Sequence, residues 1–229
     1  MASVFDDLNP AQRDAVSATQ GPVLVLAGAG SGKTRVLTHR IAHLVLDQDV
    51  PAERILAITF TNKAAGEMRE RLEALLGPHA AGMWVATFHA MCARILRRDG
   101  ERLGFTRSFT IYDDDDSKRL LKKVLQAEGF DQQRFPPTLF ASRLSSAKNE
   151  LESPAAFEES HTDPVGAKVA RVYRAYQRAL LDANAMDFDD LLVHTYRLLE
   201  GYEDVLAHYQ DRFSYVHVDE YQDTNHVQY

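Results

Sequence analysis

An eight-residue segment, AGAGSGKT at 27–34, restricts the possible folds of this chain more than any other feature. It follows an apolar run, VLVL at 23–26, and precedes a stretch with apolar residues at helical spacing. This order predicts a buried strand, a tight turn and a helix. Glycines allow backbone N–H groups to turn toward an anion, and the helix adds the positive end of its dipole. The segment therefore predicts a phosphate-binding loop, with a ligand-free turn as the alternative.

The chemistry of this loop suggests a role for each of its side chains. Lys33 is suited to neutralise β- and γ-phosphate charge, and the Thr34 hydroxyl is suited to bind Mg²⁺. The general pattern begins with glycine, where this chain has alanine, but the anion contacts come from later positions. The predicted nucleotide-binding residues of the loop are Ala27, Gly28, Ala29, Gly30, Ser31, Gly32, Lys33 and Thr34.

Further apolar runs at 55–60, 84–87 and 215–218 alternate with helical patterns, which is typical of βαβ units and a parallel sheet. Between about 105 and 186 the patterns are helical, apart from one short extended signal, SFTIY. The chain is therefore predicted to be an α/β protein with a mostly helical insertion. The expected boundaries are 1–106 for the first segment of the nucleotide-binding domain, 107–186 for the inserted subdomain and 187–229 for the second segment.

A pair of carboxylates follows the last apolar run. Asp219 and Glu220 would emerge at the carboxyl edge of the sheet, where the ligands of open α/β sheets gather. Nucleotide hydrolysis needs an acid that holds Mg²⁺ and a group that orients water. We expect Asp219 to bind Mg²⁺ together with Thr34, and Glu220 to polarise the attacking water. The alternative is a surface turn after an edge strand.

Composition excludes several classes of protein. The single cysteine, Cys92, cannot form an internal disulfide or a zinc finger, and it is most simply a core residue. The longest uncharged apolar stretch, 21–32, is too short to span a membrane, and the acidic start lacks the basic region of a signal peptide. The net charge is −7, but the excess acidity lies after residue 185, so it does not argue against nucleic acid elsewhere.

Six segments in this order resemble the N-terminal part of UvrD/PcrA/Rep-type superfamily 1 DNA helicases. They are LNPAQRDAV (8–16), AGAGSGKT (27–34), TFTNKAAGEM (59–68), VATFHAMCARIL (85–96), MDFDDLL (186–192) and DEYQDTN (219–225). The resemblance implies a RecA-like P-loop NTPase domain that uses ATP and Mg²⁺. It also implies that Gln12 reads the adenine edge and that Arg35 packs on the adenine face.

The same resemblance implies that the TFTNKAA and TFH segments contact single-stranded DNA. The residues concerned are Phe60, Thr61, Asn62, Lys63, Thr87 and His89. An aromatic surface, short polar groups and one positive charge suit a strand that is bound without sequence preference. The alternative is structural, with Phe60 and Phe88 as core aromatics, Asn62 as a helix cap and His89 as a core or capping imidazole.

Three clusters of charged residues have two interpretations each. The basic residues Lys118, Arg119, Lys122 and Lys123 would form either a DNA-facing strip or a solvated helix face. The acidic run 113–116 looks like a metal cluster, but acidic residues also favour the start of a helix, which is the preferred interpretation. The same preference applies to Asp187, Asp189 and Asp190.

The resemblance implies an ATP-dependent helicase that couples hydrolysis to movement on single-stranded DNA and to duplex unwinding in DNA repair. The expected partners are single-stranded DNA, single-strand/duplex junctions, the remaining helicase domains and repair proteins, in a cytoplasmic, nucleoid-associated location without a membrane. Arginines from a second RecA-like domain are needed for hydrolysis in this family, so the 229-residue chain is expected to be catalytically incomplete. The alternatives are a DNA- or partner-binding module with a structural nucleotide site and an unrelated P-loop enzyme such as a small-molecule kinase.

Overall fold

A computed structural model describes residues 3–28 and 30–229. The chain divides into two compact units, one formed by Met1–Met91 with Ala207–Asp223 and the other by Cys92–Leu206 with Thr224–Tyr229. The predicted boundaries near 106 and 186 concern the domains of the family and stay a prediction.

The strands are β1 (Ile55–Thr59), β2 (Trp84–Thr87), β3 (Thr110–Ile111), β4 (Ala185–Met186) and β5 (Tyr215–Val218). The helices are α1 (Pro10–Ser17), α2 (Lys33–Leu46), α3 (Asn62–Leu76), α4 (Phe88–Asp99), α5 (Asp114–Ala127), α6 (Pro137–Asn149), α7 (Pro154–Ser160), α8 (Pro164–Asp182), α9 (Phe188–Gly201) and α10 (Glu203–Arg212).

The first unit is built on a parallel sheet of order β2-β1-β5. All five residues of β1 are buried, because this central strand is paired on both edges and covered by α3. The core beside it includes Ile41 of α2 and Met68 and Leu72 of α3. The sheet confirms the predicted α/β fold and the parallel strands at 55–60, 84–87 and 215–218.

The prediction of a strand at 23–26 is wrong. Residues 22–28 belong to no helix or strand, and Leu24 and Leu26 are 66% and 86% exposed. An apolar sequence becomes a strand only where another strand offers hydrogen-bonding partners. Here the central strand pairs with β2 and β5, and residues 23–26 pair with neither edge of the sheet.

The second unit is mostly helical, as predicted for the insertion. Helices α5, α6, α7 and α8 enclose an apolar core that contains the fully buried side chains of Leu125, Phe140 and Tyr173. The short parallel pair β3–β4 joins the unit, with Thr110 opposite Ala185.

Strand β4 is absent from the sequence prediction, which continued the helical pattern through this region. Helix α8 ends at Asp182, and Asn184 then adopts a left-handed backbone with φ 46°. Its side chain accepts a hydrogen bond from Thr106 N (2.9 Å) and donates one to Thr106 Oγ1 (2.7 Å). Asparagine tolerates this conformation better than most residues, so it stops the helix and directs the chain into β4.

Both acidic runs begin helices, as predicted. Asp113 caps α5 by accepting hydrogen bonds from Asp115 N (2.9 Å) and Asp116 N (2.8 Å). Asp187 caps α9 by accepting one from Asp190 N (2.9 Å). Within residues 3–28 and 30–229, no three His, Cys, Asp or Glu side chains are grouped so as to hold a metal ion.

Cys92 is buried in the second unit, as expected for a core residue, and burial raises the pKa of its thiol to about 11. None of the helices in the described ranges has the length and apolar character needed to cross a membrane.

Candidate nucleotide site

The glycine-rich loop leads directly into α2, as its sequence predicts, although the strand before it is missing. Gly30 and Gly32 have positive φ values of 74° and 87°, which a residue with a side chain rarely adopts. Gly28 O accepts hydrogen bonds from Ser31 N (3.3 Å) and Ser31 Oγ (2.6 Å), which closes the turn. The predicted contact at Ala29 lies outside the described residues.

Lys33 is the first residue of α2 and lies against the loop. Its Nζ donates to Ala27 O at 3.3 Å, so the side chain folds back over the turn rather than extending away from it. Thr34 follows in the first turn of the helix and is half-buried. The free N–H groups of a helix start, the dipole and one ammonium form a cradle for an anion. This arrangement suits the predicted roles of Lys33 and Thr34.

Gln12 joins α1 to the loop. Its backbone N donates to Asn9 Oδ1 (2.9 Å) and its Oε1 accepts from Asn9 N (3.0 Å), which completes a capping box. Its Nε2 donates to Ser31 O (3.0 Å). Both ends of the amide are therefore in use, and an adenine read by Gln12 would have to replace these partners.

Arg35 is exposed, and its Nη2 lies 3.4 Å from Asp7 Oδ2 in a surface ion pair. Such a pair contributes little stability, so the guanidinium can leave it at small cost. The predicted stacking of Arg35 on adenine is compatible with this exposure.

Asp219 follows β5 directly and extends its pairing, since Asp219 N donates to Ile58 O at 2.9 Å. Burial raises the pKa of its carboxyl above the ordinary value, and the neighbouring Glu220 raises it further. Lys33 and Arg71 act in the opposite direction. The charge of the loop lysine therefore acts on Asp219, and their shared role in one nucleotide site stays a prediction.

A half-buried carboxylate with a raised pKa gains stability from a bound cation, so Asp219 fits a Mg²⁺ ligand. Mg²⁺ is commonly held by one or two carboxylates together with substrate phosphates. A site of this kind needs no closed cage of protein ligands, and the assignment of Asp219 and the Thr34 hydroxyl to it stays a prediction.

Glu220 has a left-handed backbone with φ 49°, an uncommon conformation for a residue other than glycine. A hydrogen bond from Asp223 N to Glu220 O (2.9 Å) closes the following turn. The carboxylate accepts from Gln222 Nε2 at 2.6 Å. The chain therefore turns directly after β5, and the Glu220 side chain is exposed.

The residues predicted to contact DNA follow the carboxyl ends of β1 and β2. These strands are parallel and in register, with Thr59 opposite Thr87, so both segments lie at the edge of the sheet where Asp219 also emerges. Phe60 and Phe88 pack edge to face with ring centroids 5.5 Å apart. Phe88 is buried, whereas Phe60 is partly exposed.

The polar residues of these segments differ in their availability. Asn62 and Lys63 are exposed, and the Lys63 side chain is 87% accessible. In contrast, Thr61 Oγ1 accepts from Ala64 N (3.1 Å) and Thr87 Oγ1 accepts from Ala90 N (3.2 Å). The cap of α3 is thus Thr61, one residue before the predicted Asn62. Thr87 is buried, and His89 is half-buried.

The basic residues of α5 are exposed. Lys118 lies 3.8 Å from Asp115, and Arg119 lies 2.5 Å from Asp116. These ion pairs with the acidic first turn agree with a solvated helix face. Lys122 and Lys123 are exposed, which is compatible with a solvated face and with a DNA-facing strip.

Sequence reasoning missed a buried ion cluster in the second unit. Lys148 is 1% exposed, and its Nζ lies 2.6 Å from Asp187 Oδ2 and 2.9 Å from Asp190 Oδ1. A signal was present, since Lys148 continues the four-residue spacing of the buried Phe140 and Leu144 on α6.

A parallel sheet, a glycine-rich loop that opens a helix and a carboxylate at the carboxyl edge define a P-loop nucleotide-binding domain of the RecA-like kind. The match is more specific than that class. Residues 8–229 match the family model of the UvrD/REP helicase N-terminal domain, and the chain belongs to this family.

Two curated relatives show the extent of the similarity. The ATP-dependent DNA helicase PcrA of Staphylococcus aureus (strain Mu50 / ATCC 700699) is 51% identical over all 229 residues of this chain. The protein of the same name from Staphylococcus epidermidis (strain ATCC 12228 / FDA PCI 1200) is also 51% identical over all 229 residues. The chain spans 31% of the length of each relative.

Proposed function

We propose that this chain is the ATP-binding N-terminal part of a DNA helicase that couples ATP hydrolysis to movement along single-stranded DNA and to duplex unwinding in DNA repair. The observation that carries the proposal is the glycine-rich turn, closed by Ser31 N donating to Gly28 O, that leads into α2 with Lys33 as the first helical residue. Membership of the helicase family supports the choice of DNA over other P-loop substrates.

In this proposal the loop N–H groups and Lys33 bind the phosphates of ATP, and Thr34 with Asp219 holds Mg²⁺. The metal, when bound, neutralises charge on the phosphate oxygens. Glu220 accepts a hydrogen bond from the attacking water and orients it. Gln12 and Arg35 contact the adenine, and this requires Gln12 to exchange its bond to Ser31 O.

Single-stranded DNA is proposed to lie along the carboxyl edge of the sheet. The partly exposed ring of Phe60 offers a stacking surface, and Asn62 and Lys63 offer a donor and a charge for the backbone. Thr61, Thr87 and His89 complete the set implied by the family. The proposed partners are single-strand/duplex junctions, the remaining helicase domains and repair proteins, in the cytoplasm at the nucleoid.

The test is DNA-stimulated ATP hydrolysis by the full-length protein. Lys33→Ala and Glu220→Gln should each lower the stimulated kcat by at least about a hundredfold, because each removes a group that acts on the reacting phosphate or water. Glu73→Gln, an exposed glutamate on α3, is the matched control and should retain wild-type turnover. Unchanged turnover in the two site variants would refute their assigned roles.

A second measurement separates a motor from a binding module with a structural nucleotide. A motor domain should change its affinity for single-stranded DNA when Mg-ATP binds, since the two sites are then energetically linked. Equal affinity with and without Mg-ATP would favour the binding module. For the 229-residue chain alone we expect weak nucleotide binding and little hydrolysis, and rapid turnover would contradict that expectation.

A further inference from the structure

A hydrogen bond in the turn after β5 joins the side chains of Gln222 and Glu220. Gln222 Nε2 donates to Glu220 Oε2 at 2.6 Å. Both residues belong to the first unit, which also contains the glycine-rich loop. Glu220 is the carboxylate proposed to orient the attacking water. Gln222 lies in the same segment, DEYQDTN, but has no role in the proposed function as stated so far.

The backbone of this turn brings the two side chains together. Glu220 has the left-handed φ of 49°, and Asp223 N donates to Glu220 O at 2.9 Å. A non-glycine residue keeps a left-handed conformation only where its surroundings impose it. Side chains two residues apart in a closed turn lose little conformational entropy when they meet, because the backbone between them is already fixed. The amide therefore reaches the carboxylate at small cost.

The same turn also joins Glu220 to Asp219. Glu220 N donates to Asp219 Oδ1 at 3.1 Å, and Asp219 N donates to Ile58 O at 2.9 Å. The backbone at both carboxylates is thus fixed from the end of β5. Gln222 adds a contact of a different kind, because it acts on a carboxylate oxygen of Glu220 and so on the direction of the side chain itself.

The chemistry of an amide suits this position. A glutamine side chain is a neutral hydrogen-bond donor. It holds one oxygen of a carboxylate and leaves the negative charge in place, whereas a lysine or arginine would partly neutralise that charge. A carboxylate that polarises water needs the charge in order to accept a hydrogen bond or a proton. With Oε2 held by Gln222, Oε1 of Glu220 is the oxygen directed to the attacking water.

We propose that Gln222 is a positioning residue that orients the Glu220 carboxylate toward the attacking water in ATP hydrolysis. The inference rests on the proposed function, in which Glu220 acts on that water. It assigns to Gln222 no contact with ATP. The amide acts through Glu220 alone, and this restriction is what the experiment tests.

The experiment measures DNA-stimulated ATP hydrolysis by the full-length protein. Gln222→Ala removes the amide, and Gln222→Glu keeps the size of the side chain but replaces the donor by a carboxylate. The same two substitutions at Gln210, an exposed residue of α10, are the controls for size and charge. Glu220→Gln is measured alone and together with Gln222→Ala.

Gln222→Ala should lower kcat about tenfold, the effect of one hydrogen bond to a charged group. Gln222→Glu should lower it at least as much, because a carboxylate cannot donate and repels Glu220. The KM for ATP and the Kd for a non-hydrolysable ATP analogue should stay within about twofold of wild type, since the loop with Lys33 and Thr34 is retained. Both Gln210 variants should keep the wild-type kcat.

The double variant distinguishes positioning from a structural role. Adding Gln222→Ala to Glu220→Gln should lower kcat by less than about twofold more, because the carboxylate through which Gln222 acts is already absent. A merely structural role would lower the melting temperature and would reduce kcat by the same factor in both backgrounds. Gln222 is exposed, so its replacement should leave the melting temperature unchanged.

The outcomes separate this inference from the proposed function. Wild-type kcat in Gln222→Ala, or a full further loss in the double variant, overturns the positioning role and leaves the proposed function intact. A raised KM with unchanged kcat also overturns it, because Gln222 would then bind ATP. Absence of DNA-stimulated hydrolysis in the unmutated protein overturns the proposed function, and this inference with it.

Discussion

The ammonium of Lys148 lies 2.6 Å from Asp187 Oδ2, inside the helical unit. Burial alone would lower the pKa of Lys148, but attraction by Asp190 and Asp187 outweighs it and raises the pKa above the ordinary value. Burial would likewise raise the pKa of Asp190, yet Lys148 lowers it. For Asp187, burial and then repulsion by Asp190 raise the pKa to about 6. The lysine therefore stays charged and is the cation on which both carboxylates depend.

Lys148→Met should destabilise the protein by about 3–5 kcal/mol, because it leaves two buried carboxylates without their cation. Urea denaturation followed by circular dichroism measures the loss. Lys123→Met, an exposed lysine on α5, should change stability by less than about 0.5 kcal/mol. Adding Asp187→Asn and Asp190→Asn to Lys148→Met should restore part of the stability, since asparagine also caps helices. Equal stability of the two lysine variants would contradict the role of the cluster.

Acid should destabilise the helical unit through His194. This side chain is buried beside Phe105, and burial lowers its pKa to about 4 although Asp190 acts in the opposite direction. Below about pH 6.5, the ordinary pKa of histidine, His194 is protonated in the unfolded chain but stays neutral in the folded chain. The free energy of unfolding therefore decreases as the pH is lowered from about 6.5 to about 4. Between pH 7 and pH 5, this protonation lowers the free energy of unfolding by about 2 kcal/mol.

His194→Leu should therefore flatten the dependence of the urea midpoint on pH across this window. His79→Leu, which replaces an exposed histidine, should keep the wild-type slope. The same slope in both variants would show that other groups cause the acid sensitivity.

The single thiol should be unreactive in the folded protein. Cys92 is 3% exposed and its thiol has a pKa of about 11, so at pH 8 neither access nor thiolate is available. Ellman's reagent should react at least about a hundredfold more slowly with the native chain than with the chain in denaturing urea. A Ser142→Cys variant adds a thiol on the exposed face of α6 and should react rapidly. Fast native reaction of Cys92 would mean that α4 opens frequently.

Hydrophobic pattern predicted the parallel sheet well, because β1, β2 and β5 are apolar runs with helices between them. The same pattern failed at 23–26, where four apolar residues lie exposed and outside the sheet. Composition and periodicity describe one segment, whereas a strand also depends on a partner edge that no single segment encodes. The prediction also failed at the end of α8, for a local reason. Asn184 adopts the left-handed conformation, and β4 begins at the next residue.

The candidate site was predictable where the chemistry is contiguous, as in the loop at 27–34 and the pair Asp219–Glu220. Its connections were not, because they join residues distant in sequence. The bond between Gln12 and Ser31, for example, spans 19 positions. Residue type alone does not choose among the many partners an amide could take. Helix caps were predicted only approximately. The sequence indicated a cap at the start of α3, but the capping residue is Thr61 rather than its neighbour Asn62.

The two segments proposed to contact DNA offer a test that separates surface charge from structural hydroxyls. Lys63 is 87% accessible and has only a weak pair, 3.9 Å from Glu67, so its charge is free to meet a phosphate. Lys63→Ala should weaken binding of a thymidine oligomer by the full-length protein. It should also reduce the salt slope of log Kd by about 0.7, the value for one contact to a single strand.

Arg54→Ala removes a cation at the opposite edge of the sheet, before β1, and should leave the salt slope unchanged. Thr87→Val should behave differently from both. Its hydroxyl is buried and holds Ala90 N at the start of α4, so its loss should cost about 1 kcal/mol of stability with little effect on the slope. Fluorescence anisotropy across a salt series measures all three slopes. A reduced slope for Thr87→Val with unchanged stability would show that this hydroxyl faces DNA rather than the helix.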